Sequence, residues 1–364
     1  ADLIQLYPRL EHEPRLQTSV SSISNELAGH VTAIEKPLEA VAGEPQSTLT
    51  AEIALASRHG ERLQGVDDEI AAFLIDGAVY ALAAADGRLL WRRYVGLESV
   101  DLVQVSESGD VLVADVRTGE LLRLDAKEGQ VVWRLPIGEP FTFLLDGNEI
   151  LVSAPSGRLL VADAASGNCT RQIRFPQRTA QAVAVDRANQ LVVQLGDHSN
   201  AYVLDRAALT CKEVRYLGHK SGTIHTRPVV LAGVLLAPHN VGLTRSQVHV
   251  VPLKVKLGDK DSSFSPAPLS MRGQIVAPLL VDGRRAMVVN DQGDVQVLAL
   301  DLTNPTAPLH VAGATTGNLD DEAVFPILAG KLLVVADRRL TAYRVPATRG
   351  PRSPGWVLHQ EALF

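Results

Sequence analysis

The residues best equipped for polar chemistry fall in two short stretches. LGHKSGTIHTR (217–227) and PHNVGLTR (238–245) together carry His219, Lys220, His225, Arg227, His239, Asn240 and Arg245. Imidazoles titrate near neutrality and ligate metals, while lysine and arginine bind carboxylates and phosphates. The histidine spacing is not that of a regular metal site. The stretches read instead as a local basic, polar patch on a chain of formal net charge −6. Such a patch suits an acidic partner, an anionic glycan or a peptide, and its histidines would make binding sensitive to pH. The plain alternative is a pair of hydrated loops.

Other candidate chemistry is sparse. GxSxG, HExxH and GxxxxGK[ST] are all absent from the sequence. DKDSSFS (259–265) has two aspartates at the spacing of a calcium loop but lacks its glycine and its closing glutamate. The acid pairs Asp67–Asp68 and Asp320–Asp321 read as solvated turns. The two cysteines, Cys169 and Cys211, hold corresponding places in successive repeats and are expected as separate thiols. No metal or cofactor site is expected from these residues.

The chain behind these loops has 364 residues, 46% hydrophobic and 21% charged, which is ample for a core. It shows no basic stripe, so nucleic acid is not an expected partner. No apolar run is long enough to span a membrane. It begins at Ala1 without a visible signal peptide and reads as a mature or trimmed piece of something longer.

A repeat organises most of the sequence. ALAAADGRLLWRR (81–93) returns as RLDAKEGQVVWRL (123–135), with Gly87 and Gly129 each four residues before Trp91 and Trp133. Asp125 precedes its glycine by four residues. The next copy keeps Asp163 and Gly167 but places Arg171 at the tryptophan position, and later copies erode further. Around each copy lie four apolar runs of about five residues, separated by Gly, Asp, Asn, Ser and Pro, the pattern of a four-stranded antiparallel meander. Such units can be followed from about residue 50 to the end. At about 40–50 residues per unit this is the signature of a β-propeller. The expected fold is therefore all-β, a seven-bladed β-propeller of four-stranded antiparallel blades. Eight blades are the alternative if further sequence supplies one.

Residues 1–47 differ. Leu16, Val20, Ile23, Leu27, Val31 and Ile34 form one helical apolar stripe between Pro14 and Pro37. The expected organisation is an N-terminal helix and linker over 1–47 and a propeller over 48–364. The helix either docks on the propeller or offers residues 14–36 for oligomerisation or a coiled-coil contact.

The phrases YALAAADGRLLW and RLDAKEGQVVW resemble the repeat of pyrroloquinoline-quinone-type (PQQ-like) propellers, A-x-D-x-x-x-G-x-x-x-W. The resemblance implies that Trp91 and Trp133 dock against neighbouring blades, with Gly87, Asp125, Gly129, Asp163 and Gly167 shaping the turns. The family includes quinoprotein dehydrogenases and a non-enzymatic branch resembling the outer-membrane assembly scaffold BamB. Its dehydrogenases hold their quinone with an adjacent cysteine pair and a tryptophan. This chain has no adjacent cysteines, and Trp356 falls in the last outer strand. The expectation is therefore a non-enzymatic scaffold that binds a protein or peptide on a propeller face, in the cell envelope or otherwise outside the cytoplasm. That location follows from the resemblance alone. The alternatives are a divergent quinoprotein dehydrogenase, a hydrolase using the rim histidines, or the sensor domain of a larger signalling protein.

Overall fold

A computed structural model describes residues 13–43, 70–75, 77–83, 88–96, 104–105, 109–254, 266–315, 325–329, 332–336, 340–344 and 359–362. Gly87, Asp67–Asp68, the 259–265 loop, Asp320–Asp321 and Trp356 lie outside these residues. The described strands form seven antiparallel sheets, each a meander in which successive strands pair. Six contain four successive strands, and the first contributes three, Ile70–Ile75, Ala78–Ala83 and Leu89–Tyr94. Many described turns between paired strands are short and carry a positive-φ glycine, as tight antiparallel turns require.

Local sequence explains the repetition. In the third sheet, Thr142–Asp146, Glu149–Ala154, Arg158–Asp163 and Cys169–Arg174 follow the apolar runs, and turn residues separate them. The middle strands are buried along almost their whole length, so both faces must be covered. The last two strands of the first, second, third, fourth and sixth sheets share one register shift, after Ala81, Arg123, Val161, Val203 and Val297. A bulge at one place in successive units increases the local twist in the same way each time.

The chain divides into two compact units, Thr32–Arg174 and a second made of 1–31 with 175–364. In the first, alternate residues of one strand face opposite neighbours. Val111 and Val113 pack with Val79, Ala81 and Trp91, whereas Leu112 and Ala114 pack with Phe143, Ile150 and Val152. The second unit repeats the scheme. Leu235, Ala237 and Val251 of the fifth sheet join Leu195 and Leu217 of the fourth, while Leu236, Val248 and Val250 join Val288 and Leu298 of the sixth.

In the N-terminal region the helix is shorter than the apolar stripe from Leu16 to Ile34. The helix, α1, spans Pro14–Gly29, with proline in its first turn, and packs along strand Cys211–Tyr216. Val31 and Ile34 are not helical. The chain leaves the helix at Gly29 and becomes a strap. Thr32–Ala33 pairs with Cys169–Arg174, and Val41–Ala42 pairs with Val131–Pro136. Each adds a fifth strand to a sheet edge that would otherwise expose unpaired backbone groups. Between them Leu38 accepts a hydrogen bond from the Cys169 amide (3.2 Å) and packs on the core. The helical period of the sequence persists past Gly29, but Gly29 ends the helix, and the residues after it pair with sheet edges instead.

Candidate functional site

The tryptophan phrases act as fastenings. Trp91 Nε1 donates to the Ala126 carbonyl (2.9 Å), and its ring lies over Gly129, where an added Cβ would fall 2.5 Å from the indole. Trp133 Nε1 donates to the Ala164 carbonyl (3.3 Å) and covers Gly167, where a Cβ would fall 2.6 Å away. Both glycines have φ near +70°. Each is therefore demanded twice, by backbone and by contact. The Asp125 carboxylate accepts from the amides of Lys127, Glu128 and Gln130, and Asp163 from the amide and hydroxyl of Ser166. These bonds hold the Asp163 carboxyl below the usual carboxylate range. These carboxylates shape turns.

A quinone cofactor does not fit the described residues. Both described tryptophan rings are buried, each with a glycine turn packed against it. Cys169 and Cys211 are separate free thiols on strands of different sheets. Burial raises both thiols, Cys211 to about 11, which leaves little nucleophilic thiolate at neutral pH. Among the described residues no group of three or more His, Cys, Asp or Glu could hold a metal ion.

The residues singled out in 217–245 separate into two layers. His219 lies in the loop after strand Cys211–Tyr216, and His239 and Asn240 lie on strand Val234–Val241, all buried. Lys220, His225 and Arg245 are exposed, and Arg227 is half-buried. The loop is stitched to the strand through the Asn240 amide, which donates to the Thr223 carbonyl (2.8 Å). Asn240 itself is a bracket: Oδ1 accepts from the Ile275 amide (2.9 Å) and Nδ2 donates to the Ile275 carbonyl (3.2 Å).

The buried layer contains one residue the sequence reading omitted. His249, on strand Arg245–Pro252, stacks on His239 with ring centres 4.5 Å apart and planes 19° apart; His219 stands 6.5 Å from His239. The three are 3%, 8% and 7% exposed for His219, His239 and His249. The signal was present in QVHVVP, where period-two alternation turns His249 to the same face as Gln247 and opposite the apolar Val248 and Val250. A histidine inside an apolar strand reads at first as filler.

His219 Nε2 donates to the Gly196 carbonyl (2.9 Å), so its Nδ1 carries a lone pair. That nitrogen, His239 Nδ1 and His249 Nε2 are buried without a hydrogen-bond partner in the protein. Burial disfavours the imidazolium in all three, opposed at His219 by the bond to the Gly196 carbonyl, and like-charge repulsion adds to it from His219 at His239 and from both other rings at His249. His239 is pushed down to about 4, His249 to about 3, and His219 below its ordinary value. All three are neutral at pH 7. The site's positive charge belongs to the outer layer, where Arg245 stands directly opposite Arg272 across the strand pair.

A family model described as outer membrane protein assembly factor BamB matches residues 28–211, half of the chain. Curated proteins called outer membrane protein assembly factor BamB, from Shigella dysenteriae serotype 1 and Escherichia coli K12, are 27% and 26% identical over 126 residues, 32% of this chain. The chain spans about a third (30%) of the length of these curated relatives. Among solved structures, BamB from Moraxella catarrhalis aligns with a TM-score of 0.53 at 16% identity, covering 90% of this chain and 88% of that one. The Neurospora crassa Pan2 WD40 domain aligns with a TM-score of 0.54 at 14% identity, covering 86% and 96%. These structural likenesses identify the fold as an all-β propeller type. No described helix is long and apolar enough to cross a membrane. With its repeated tryptophan-over-glycine turns and a family match over half its length, the chain belongs to the PQQ-like propeller family described as outer membrane protein assembly factor BamB.

Proposed function

We propose that the chain is a non-enzymatic scaffold of the cell envelope that works outside the cytoplasm and binds a protein through the exposed ends of its fourth and fifth sheets. Family membership supports the kind of role, since the named relatives are assembly factors. The observation that carries the site is the split between layers. Buried neutral histidines and the Asn240 bracket make a firm base, and Lys220, His225 and Arg245 stand exposed above it with Arg227 half-buried at its edge. A rigid base with projecting side chains suits recognition. Both thiols lie on strands, and Asp125 and Asp163 are tied into turns, which favours binding over catalysis. The organisation proposed with it is an N-terminal arm over 1–47 and a propeller over 48–364, with α1 as an accessory contact through its exposed Val20 and Ile23.

The test is site-specific photo-cross-linking in envelope fractions. A photoreactive residue replacing Leu243, at the tip beside this patch, should give discrete polypeptide adducts. The same group replacing Arg284, in the turn between the first two strands of the sixth sheet, should not. Equal labelling from both positions, or none from either, would overturn the proposed face.

A further inference from the structure

We propose that the exposed end of the fifth sheet is a docking site for an acidic polypeptide segment that also carries apolar side chains. The inference rests on the scaffold reading above and names the chemistry of its partner.

The first observation is an unrelieved charge pair. Arg245 and Arg272 are direct partners across strands Arg245–Pro252 and Leu269–Arg272. Direct partners project to the same face, and both residues are exposed. No ion pair joins either to an acid among the described residues. Like charges placed opposite one another destabilise a sheet. Asp197 and Asp291 are engaged in holding loops, and Asp291 Oδ1 lies beside Gly273, the residue after Arg272. Asp197 accepts from Ser221 and Gly222, and Asp291 from the Gln274 amide (2.7 Å). Two guanidinium groups side by side offer paired donors that match carboxylates.

The second observation is an apolar tip beside them. Val241 is the strand partner of Arg245 and is exposed, and Leu243 at the turn is 85% exposed. A leucine this open is not serving the core. Its turn is nevertheless braced. Gln274 Nε2 donates to the Gly242 carbonyl (2.9 Å), and the Gly273 amide donates to the Thr244 carbonyl (2.9 Å). These bonds tie the tip to the loop that carries exposed Val276. A held tip loses little freedom when a partner covers it.

Position on the sheet joins the two. Arg245, Gln247 and His249 alternate onto one face, with Val241 and His239 across from Arg245 and Gln247. The column therefore runs from buried neutral imidazoles to exposed arginine and valine. The imidazoles add no charge at neutral pH, so the arginines, with Lys220 on the stitched loop, set the sign. The chain's net charge of −6 opposes long polyanions such as nucleic acid. A short acidic stretch that sets an apolar side chain against Leu243 satisfies both features.

The experiment uses the full chain and fluorescently labelled twelve-residue peptides. One alternates Glu and Leu, one Lys and Leu, and one Glu and Ser. The Glu/Leu peptide should bind, with weaker binding as salt rises. Arg245→Glu with Arg272→Glu should weaken it at least about tenfold, and Leu243→Ser about threefold to tenfold. Thermal unfolding should confirm that both variants remain folded. Unchanged affinity in the double reversal, or equal binding of the Lys/Leu peptide, would overturn the proposal. So would equal binding of the Glu/Ser peptide together with its displacement by millimolar inorganic phosphate, which would make this a general anion site. If cross-links from Leu243 persist while the Glu/Leu peptide fails, the partner chemistry is wrong and the scaffold reading stands. If the cross-links also vanish, the scaffold reading falls with it.

Discussion

The joint between the second and third sheets and the joint between the fourth and fifth solve one packing problem with different side chains. At the former, Trp133 spans the gap, bonds the Ala164 carbonyl and lies on Gly167. Arg123 reinforces it by pairing with Asp110 on its own sheet and donating to the Ala164 and Ala165 carbonyls (2.9 and 3.0 Å) of the next. At the latter, Leu195, Leu217, Leu235 and Val251 fill the interface, and three histidines occupy one end of it. Trp133 Nε1 and the Arg123 guanidinium both find partners, in carbonyls of the next sheet and in Asp110. The second leaves ring nitrogens unpaired. A joint concerned only with stability has no use for such groups, since each lone buried polar atom costs free energy. The difference separates fastening from a place where other demands have shaped the sequence.

The sharpest way to break the comparison is to remove the tryptophan. Trp133→Ala should cost about 3–5 kcal/mol, because it deletes a buried ring. Denaturant unfolding measures it, and a loss below about 1 kcal/mol would mean that the clasp is decorative. Gly167→Ala should cost about 2–4 kcal/mol, combining left-handed strain with a methyl driven into the indole. In a Trp133→Leu background the same substitution should cost clearly less, since the indole contacts are gone and only the backbone part and the close approach to the Ala40 Cβ remain. Equal costs in the two backgrounds would show that ring contact does not explain the glycine. Arg123→Met should cost about 2 kcal/mol by leaving the partly buried Asp110 without its cation, and Asp110→Asn in the same chain should recover part of that.

The sequence exposed the fastening far better than the site. The D-x-x-x-G-x-x-x-W spacing is legible because bonds from Asp125 to three amides, a positive φ at Gly129 and a ring over that glycine each restrict one position. Where the pattern erodes, the structure keeps the geometry with other residues. Leu209 takes the glycine's place in the fourth sheet with φ +55° and is buried. Composition alone hid it. The strap at 32–33 and 41–42 was illegible because two-residue strands carry no period, and their partners are set by edges formed more than 90 residues later. The histidines were visible, but their depth was not. His219 and His239 looked like neighbours of Lys220 and Arg245 on a rim, whereas sheet alternation and the Gly196 carbonyl draw them inward. His249 was hidden because its neighbours in sequence are apolar.

The smallest expected effect tests whether the histidine joint is held by neutral rings. In the folded protein the rings bind protons less readily than in the unfolded chain, because their folded values lie below the ordinary 6.5. The unfolded state therefore takes up more protons as pH falls, and stability declines with it. The stabilising contribution is complete above about pH 6.5. It is lost progressively down to about 4 for His239 and about 3 for His249. From pH 6.5 to 5.5 each ring should remove up to about 1 kcal/mol. His239→Phe keeps a flat ring against His249 without a titrating nitrogen, so its stability at pH 7.5 should change by less than about 1.5 kcal/mol. Its decline between pH 6.5 and 4.5 should be shallower than that of the parent chain. Trp133→Leu, a clasp variant without a histidine change, should keep the parent's pH slope while losing stability at every pH. If His239→Phe and Trp133→Leu show the same slope, the acid sensitivity belongs to other groups, and the two joints do not differ in the way their polar atoms indicate.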